Sequence, residues 1–281
     1  VGSPAILHVP AGTSVRECLD LAGGVCAQDP VVVFGGPMMG KIVPLDEALD
    51  RVVTKTDSGL VVLPGDSYLA GVGRITMAHM LSRARSACIQ CSYCTQMCPR
   101  HLLGHPLEPH KIMRKLASSP DVTALLDEED IRRAALCCEC GVCELYACPM
   151  ELQPRRVNVI LKQALREAGI ACPKGEPGLT PRPQWAMGKI PAGRVAARVG
   201  VSPYAGELPD RAVEYTPGRI SLPLRQHIGV PSVPVVSPGD RVTAGQLVAR
   251  CPQGALGANL HTGIAGVVRS VGQVIIIEQG A

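Results

Sequence analysis

Two short cysteine blocks constrain the fold of this chain more than any other feature. Residues 88–99 read CIQCSYCTQMCP, and residues 137–149 read CCECGVCELYACP. The first block is the C-x2-C-x2-C-x3-C-P run of bacterial-type ferredoxins, in which three cysteines bind one 4Fe–4S cluster and the fourth binds a second cluster. A chain with this run must therefore bring distant segments together around metal.

The second block repeats the pattern with one extra residue before its last cysteine, and Cys138 falls outside the three-residue step. About 38 residues separate the blocks, more than in a compact ferredoxin, and their pattern is helical. We expect an α-helical ferredoxin variant, with the extra residue taken up by a helical distortion that leaves the stability of its cluster open. The predicted ligands are Cys88, Cys91, Cys94 and Cys148 for the first cluster and Cys137, Cys140, Cys143 and Cys98 for the second.

Zinc and disulfide bonds are the alternatives. Zinc sites use paired C-x2-C motifs but need neither a third cysteine at the same step nor a trailing Cys-Pro. Cysteines three apart in a tight loop are badly placed to bridge each other, so a secreted disulfide framework is disfavoured and a reducing, intracellular compartment is indicated. Outside the predicted ligands, the other five cysteines are expected to be small buried hydrophobic residues: Cys18, Cys26, Cys138, Cys172 and Cys251.

Composition narrows the partners. The net charge is +4 without dense basic runs, so the sequence shows no footprint for nucleic acid. No apolar run approaches the roughly 18 residues of a membrane span, and no signal peptide is recognisable. The chain also begins without Met, which is expected of a processed chain or of a piece of a longer one.

The sequence divides into four segments with the character of an α+β multidomain protein. Residues 1–75 hold Val-rich strands around a short helix, and residues 76–170 are helical and carry both blocks. Residues 171–214 form a connector rich in Pro and Gly with one short helix, and residues 215–281 return to strands and turns.

No nucleotide or flavin loop is recognisable. The stretches GVGRIT and GGPMMG both lack the G-x-G-x-x-G spacing, and the second is interpreted as a turn that needs a positive φ angle. Two clusters without a substrate pocket indicate electron transfer, but the catalytic residues cannot be named.

Four stretches in this order resemble the RnfC-like iron–sulfur electron-transfer flavoprotein family, and within it the cobalamin-reducing branch. They are VVVFGGPMMGKIV, CIQCSYCTQMCPRHLLGHPLEPHKIMR, CCECGVCELYACPMELQPRRVN and LPLRQHIGVPSVPVVSPGDRVTAGQLVA. The resemblance implies an N-terminal β-grasp domain of the soluble-ligand-binding (SLBB) type and a C-terminal barrel-sandwich hybrid. That last domain resembles lipoyl carriers, but no lysine follows Lys189, so it cannot carry a lipoyl group.

The resemblance also implies a function: reduction of cob(III)alamin toward cob(I)alamin, which regenerates coenzyme B12 during propanediol utilisation. FMN and NADH are expected only with the family's N-terminal domain, which has no counterpart in the sequence. Implied partners are the corrinoid substrate, a corrinoid adenosyltransferase and a shell protein, with a cytoplasmic, microcompartment-associated location. The alternatives are an electron-relay subunit of a membrane-associated complex and a non-catalytic conduit that docks to a shell.

Overall fold

The computed structural model describes residues 1–119, 121–171, 178–204 and 209–280. They form two compact units. The first unit comprises residues 1–36, 40–70 and 209–280, and the second comprises residues 37–39 and the described part of 71–206. The first and last of the four segments defined from the sequence thus belong to one unit; the four-segment division itself stays a prediction.

The N-terminal part of the first unit is built on a three-stranded antiparallel sheet in the order β3-β2-β4. The middle strand reads VVVF and is buried along its whole length. Helix α1 begins after Ser14, whose side chain forms a reciprocal capping box with Glu17, as its sequence predicts. The elements are β1 (Ile6–His8), α1 (Val15–Leu21), β2 (Val31–Phe34), β3 (Lys41–Pro44), α2 (Leu45–Leu49) and β4 (Leu60–Leu63).

The C-terminal part of the first unit consists of two antiparallel sheets, ordered β6-β12-β11-β8 and β10-β9-β7. Strand β5 lies apart from them and pairs in parallel with β1. The predicted turns are confirmed at Gly239 and Gly245, both with positive φ angles. The strands are β5 (Ala212–Glu214), β6 (Arg219–Pro223), β7 (Val233–Pro234), β8 (Arg241–Val242), β9 (Leu247–Arg250), β10 (Leu260–His261), β11 (Gly266–Val271) and β12 (Val274–Glu278).

The second unit is helical, as predicted. Its core contains Ile112, Leu116, Leu161 and Leu165, each at most 1% exposed, and these residues lie on the two longest helices, α7 and α9. The α-helices of this region are α3 (Tyr68–Arg74), α4 (Met77–Ser86), α5 (Tyr93–Gln96), α6 (Pro99–Leu102), α7 (Pro109–Ser118), α8 (Glu129–Arg132), α9 (Pro154–Glu167) and α10 (Ala192–Arg198). Further helical turns are Thr123–Leu125, Arg133–Leu136, Val142–Tyr146, Pro183–Met187 and Ser202–Tyr204.

Two predictions for the end of this unit are tested by the described residues. The helix predicted between Pro154 and Gly169 is α9, and the short helix predicted in the connector is α10. Part of the connector, residues 172–177, lies outside the described residues. Within the described ranges, no helix combines the length and the apolar character that crossing a membrane requires.

Candidate metal-cluster site

The two cysteine blocks fold into loops with the same backbone pattern. In each loop, the residues on both sides of the middle cysteine adopt left-handed conformations. Their φ angles are +57° at Gln90, +64° at Ser92, +60° at Glu139 and +80° at Gly141. A left-handed residue between right-handed ones turns successive backbone N–H groups toward one concave side, which is how many iron–sulfur sites accommodate an anion.

A first cavity, of about 350 Å³ counted out to open solvent, lies beside the first loop. Three of its cysteines come from the first block, and the fourth comes from the end of the second block. His110 and the buried Met113 also line this cavity. The four cysteines are Cys88, Cys91, Cys94 and Cys148.

A second cavity, of about 290 Å³ by the same measure, lies beside the second loop. Here the contribution is reversed, with three aligned cysteines from the second block and one from the end of the first. Arg100, Arg155 and Asn158 also line it. Its cysteines are Cys98, Cys137, Cys140 and Cys143, with Cys138 as a fifth thiol.

The extra residue of the second block is absorbed by a π-helical turn. In the first block, α5 leads from Cys94 to Cys98 in four residues, whereas Val142–Tyr146 forms a π-helix before Cys148. Its Ala147 N–H donates to the Val142 carbonyl at 2.9 Å, a bond that spans five residues instead of four. The predicted helical distortion is therefore confirmed, and it brings the longer block to an equivalent end point.

The thiols of both cavities are held in their neutral form by burial. Burial raises the pKa of Cys94 to about 12, and the nearby Cys148, Cys88 and Cys91 add to that shift. Burial likewise raises the pKa of Cys98 to about 11, with a smaller contribution from Cys137. Because a bound metal requires thiolates, it must displace protons from these groups.

Backbone N–H groups partly offset this cost by donating to sulfur. The N–H of Leu152 donates to Cys148 Sγ at 3.4 Å, and the N–H of Glu139 donates to Cys137 Sγ at 3.3 Å. Donors aimed at sulfur favour the thiolate over the thiol. The donor set is therefore chemically suited to an anionic iron–sulfur group.

A single metal ion fits less well. Among the described residues, no three His, Cys, Asp or Glu side chains converge as one bound ion requires. A zinc ion needs four ligands at roughly 2.0–2.3 Å from one point. A cube with a thiolate at each outer corner holds its ligands further apart, which is what the two lined cavities allow.

Two arginines near the blocks in sequence, Arg100 and Arg155, line the second cavity. Arg100 also contacts His105 at 3.2 Å, and Arg155 forms an ion pair at 2.7 Å with Glu144, whose side chain is 1% exposed. The charge of Arg155 is therefore largely matched by a buried carboxylate next to Cys143.

The prediction that the spare cysteines are small buried residues is confirmed only for Cys18. Cys26 is exposed, and Cys138 and Cys251 are half-buried. Cys172 lies outside the described residues. Cys138 was misjudged because its thiol is tied to the loop geometry and lines the second cavity, although it is out of step in sequence.

Asn158 was missed entirely by sequence reasoning. It is 1% exposed, and neither its Oδ1 nor its Nδ2 has a partner among the described residues. A single Asn inside an amphipathic helix carries no signal by itself. The available signal was a comparison of the two proline-initiated helices, α7 and α9, which the sequence permits.

Two regions of the chain match known domain families. Residues 87–153 match the 4Fe-4S dicluster domain, and residues 210–281 match the RnfC barrel sandwich hybrid domain. The chain belongs to the RnfC-like family of iron–sulfur proteins. Its iron–sulfur character and the C-terminal barrel-sandwich hybrid predicted from the sequence are thereby confirmed.

Individual relatives place it within the family. The chain is 41% identical, over its full length, to the cobalamin reductase PduS of Salmonella typhimurium, and 39% identical over 96% of its length to that of Citrobacter freundii. It spans 60% and 58% of those two proteins. Over 26% of its length it is 34% identical to one component, 20% of which it covers, of a proton-translocating ferredoxin:NAD(+) oxidoreductase complex from Clostridium ljungdahlii.

Proposed function

We propose that this chain is the iron–sulfur part of a cobalamin reductase and carries electrons toward cob(III)alamin for its reduction to cob(I)alamin. The observation that carries the proposal is the pair of cavities, each lined by three cysteines of one block and the last cysteine of the other. The similarity to two cobalamin reductases supports the choice of a corrinoid as acceptor. A 4Fe–4S cluster, when bound, gains and loses one electron at a time.

In this proposal the cysteines hold the clusters in crossed sets. Cys88, Cys91, Cys94 and Cys148 ligate the first cluster, and Cys98, Cys137, Cys140 and Cys143 ligate the second. The left-handed residues of each loop turn N–H donors toward the sulfur atoms, and the core residues behind Cys98 and Cys148 exclude water. The chain therefore binds and shields the redox groups, and no side chain is assigned to bond-making chemistry.

Two double variants test the crossed ligand sets against each other. Cys88→Ala with Cys98→Ala removes two ligands of the same block, and crossed ligation predicts that both clusters are lost. Cys88→Ala with Cys148→Ala removes two ligands of one cavity, and here we expect about four of roughly eight iron atoms to remain. Iron and sulfide per chain are measured after anaerobic reconstitution, with far-UV circular dichroism as the control for folding.

Ligation within each block predicts the opposite outcome. The first double variant would then keep about four iron atoms, and the second would keep almost none. Because the two variants exchange results between the two models, a general loss of stability cannot imitate crossed ligation.

The corrinoid step is tested with the reconstituted chain itself. The chain is reduced chemically under anaerobic conditions, freed of excess reductant and mixed with hydroxocobalamin while the visible spectrum is recorded. We expect the corrin bands to shift toward reduced cobalamin as the cluster absorbance recovers. Clusters that stay reduced beside oxidised cobalamin would contradict the proposal and assign that transfer to an FMN- and NADH-binding domain of the intact protein.

A second function is favoured by the similarity to components of ion-translocating oxidoreductase complexes, which extends over 26% and 38% of the chain in two such relatives. In that case the chain relays electrons within a membrane-associated complex. Reduced chain that fails with hydroxocobalamin but binds and exchanges electrons with the membrane subunits of such a complex would support the relay.

The resemblance also supports finer proposals. The N-terminal part of the first unit is proposed to be a β-grasp domain of the SLBB type, and the chain is proposed to act in the cytoplasm beside a bacterial microcompartment. A corrinoid adenosyltransferase and a shell protein are the proposed partners. Co-purification of these two proteins with the tagged chain tests the assignment, and recovery with the shell protein but without corrinoid turnover would favour a docking conduit.

A further inference from the structure

Asn158 is the one residue of the second cavity whose buried polar atoms have no counterpart in the described part of the chain. It is 1% exposed, lines the cavity with the four proposed ligands, and neither amide atom is hydrogen bonded. Buried amides are almost always paired, because leaving their donors unmade is costly. An unpaired amide at a cavity wall therefore points to a group that occupies the cavity.

The other half of the unit shows what the same position looks like without this amide. Helices α7 and α9 both begin with a proline, Pro109 and Pro154. Four residues further on lie Met113 and Asn158, which are both 1% exposed and which line the first and the second cavity respectively. The two cavities thus receive an apolar thioether and an amide from equivalent positions.

Nearby charges do not remove this difference. In the second cavity, Arg155 is already paired with the buried Glu144 at 2.7 Å. In the first cavity, the imidazole of His110 is engaged by Thr95 Oγ1 at 2.7 Å through Nδ1. Among the described residues that line the two cavities, Asn158 is therefore the clearest uncommitted hydrogen-bond donor.

We propose that Asn158 donates an Nδ2–H hydrogen bond to a sulfur atom of the group held by Cys98, Cys137, Cys140 and Cys143, and that this bond makes the second site the more easily reduced of the two. The proposal rests on the proposed cluster ligation. A hydrogen bond to sulfur stabilises the more negative, reduced state, so it raises the reduction potential. Asn158 is a positioning residue in this scheme, since it acts on the group and not on the corrinoid.

Reciprocal substitutions test the proposal in the full, reconstituted chain. Asn158→Met gives the second cavity the residue of the first, and Met113→Asn does the reverse. Each is made alone and also in a Cys148→Ala background, which keeps only the second cluster and so assigns its signal. Midpoint potentials come from redox titrations followed by electron paramagnetic resonance.

We expect Asn158→Met to lower the ratio of reduced to oxidised second cluster about tenfold at a fixed potential, which is about 59 mV for a one-electron couple. Met113→Asn should shift the first cluster in the opposite direction. The deuterium-sensitive part of the Fe–S stretching bands in resonance Raman spectra should also decrease in Asn158→Met. Asn158→Leu, of similar size and without a donor, should reproduce both effects if the Met variant folds poorly.

The results separate failure of this inference from failure of the proposed function. Full iron content with unchanged potentials and unchanged deuterium shifts in both Asn158 variants overturns the role of Asn158 alone. Absence of cluster signals from the Cys148→Ala background, or a wild-type chain that takes up no iron, overturns the ligand assignment on which it rests.

Discussion

Gly141 offers a quantitative test of how the second loop is held. Its φ angle is +80°, and a Cβ atom at this position would lie 2.5 Å from the carbonyl oxygen of Met38. Ser92 adopts φ +64° at the equivalent place in the first loop, so the left-handed conformation alone tolerates a side chain. The clash with a backbone atom is what requires glycine at Gly141.

Gly141→Ala therefore combines two costs. A left-handed conformation costs a residue with Cβ about 1–2 kcal/mol, and forcing an atom into a packed contact adds about 1–3 kcal/mol. We expect the free energy of unfolding to fall by about 2–5 kcal/mol. Gly169→Ala is the matched control, because Gly169 has φ +68° in the same unit and open space around its Cβ position, so only the first cost applies.

Both variants are measured by urea unfolding of the iron-loaded chain under anaerobic conditions, with cluster absorbance and far-UV circular dichroism as probes. The decisive quantity is the difference between the two variants, expected to be about 1–3 kcal/mol. Equal destabilisation by the two substitutions would refute the argument that the Met38 carbonyl fixes this loop.

The remaining predictions concern polar contacts. Glu144→Ala should cost about 3 kcal/mol of unfolding free energy, because it leaves Arg155 without its buried carboxylate; adding Arg155→Met should recover part of that loss, and no recovery would contradict the pairing. Burial alone would raise the pKa of Glu17, but hydrogen bonds from Ser14 and Tyr215 outweigh it and lower the pKa. This stabilisation is present above the ordinary pKa of Glu17 and disappears as the pH falls through its lowered value. The deficit of Tyr215→Phe in unfolding free energy should therefore shrink in acid, and a deficit independent of pH would count against it.

The sequence predicted what is encoded locally. The cysteine spacing, the capping box at Ser14, the turn glycines and the amphipathic pattern of α9 are short-range signals, and the structure reproduces each of them. The helical distortion before Cys148 was also predictable, since one inserted residue in a helix has few low-cost solutions.

What depends on contacts between distant residues was not predictable. The parallel pairing of β1 with β5 joins residues about 200 positions apart, and no local pattern specifies it. The segment Pro37–Met39 was interpreted only as part of a turn, yet it belongs to the helical unit, where Met38 meets Gly141. Asn158 has its significance only through the cavity that packing creates around it.

The crossed arrangement of the cavities also bears on how the protein is made. With the proposed ligands, the first site needs Cys148 and the second needs Cys143, so neither site is complete until the ribosome has synthesised both blocks. A nascent chain that ends between the blocks offers at most incomplete sets of thiols. Iron–sulfur insertion must therefore follow synthesis and folding of the helical segment between the blocks, and a truncated product cannot carry one intact cluster as a stray source of electrons.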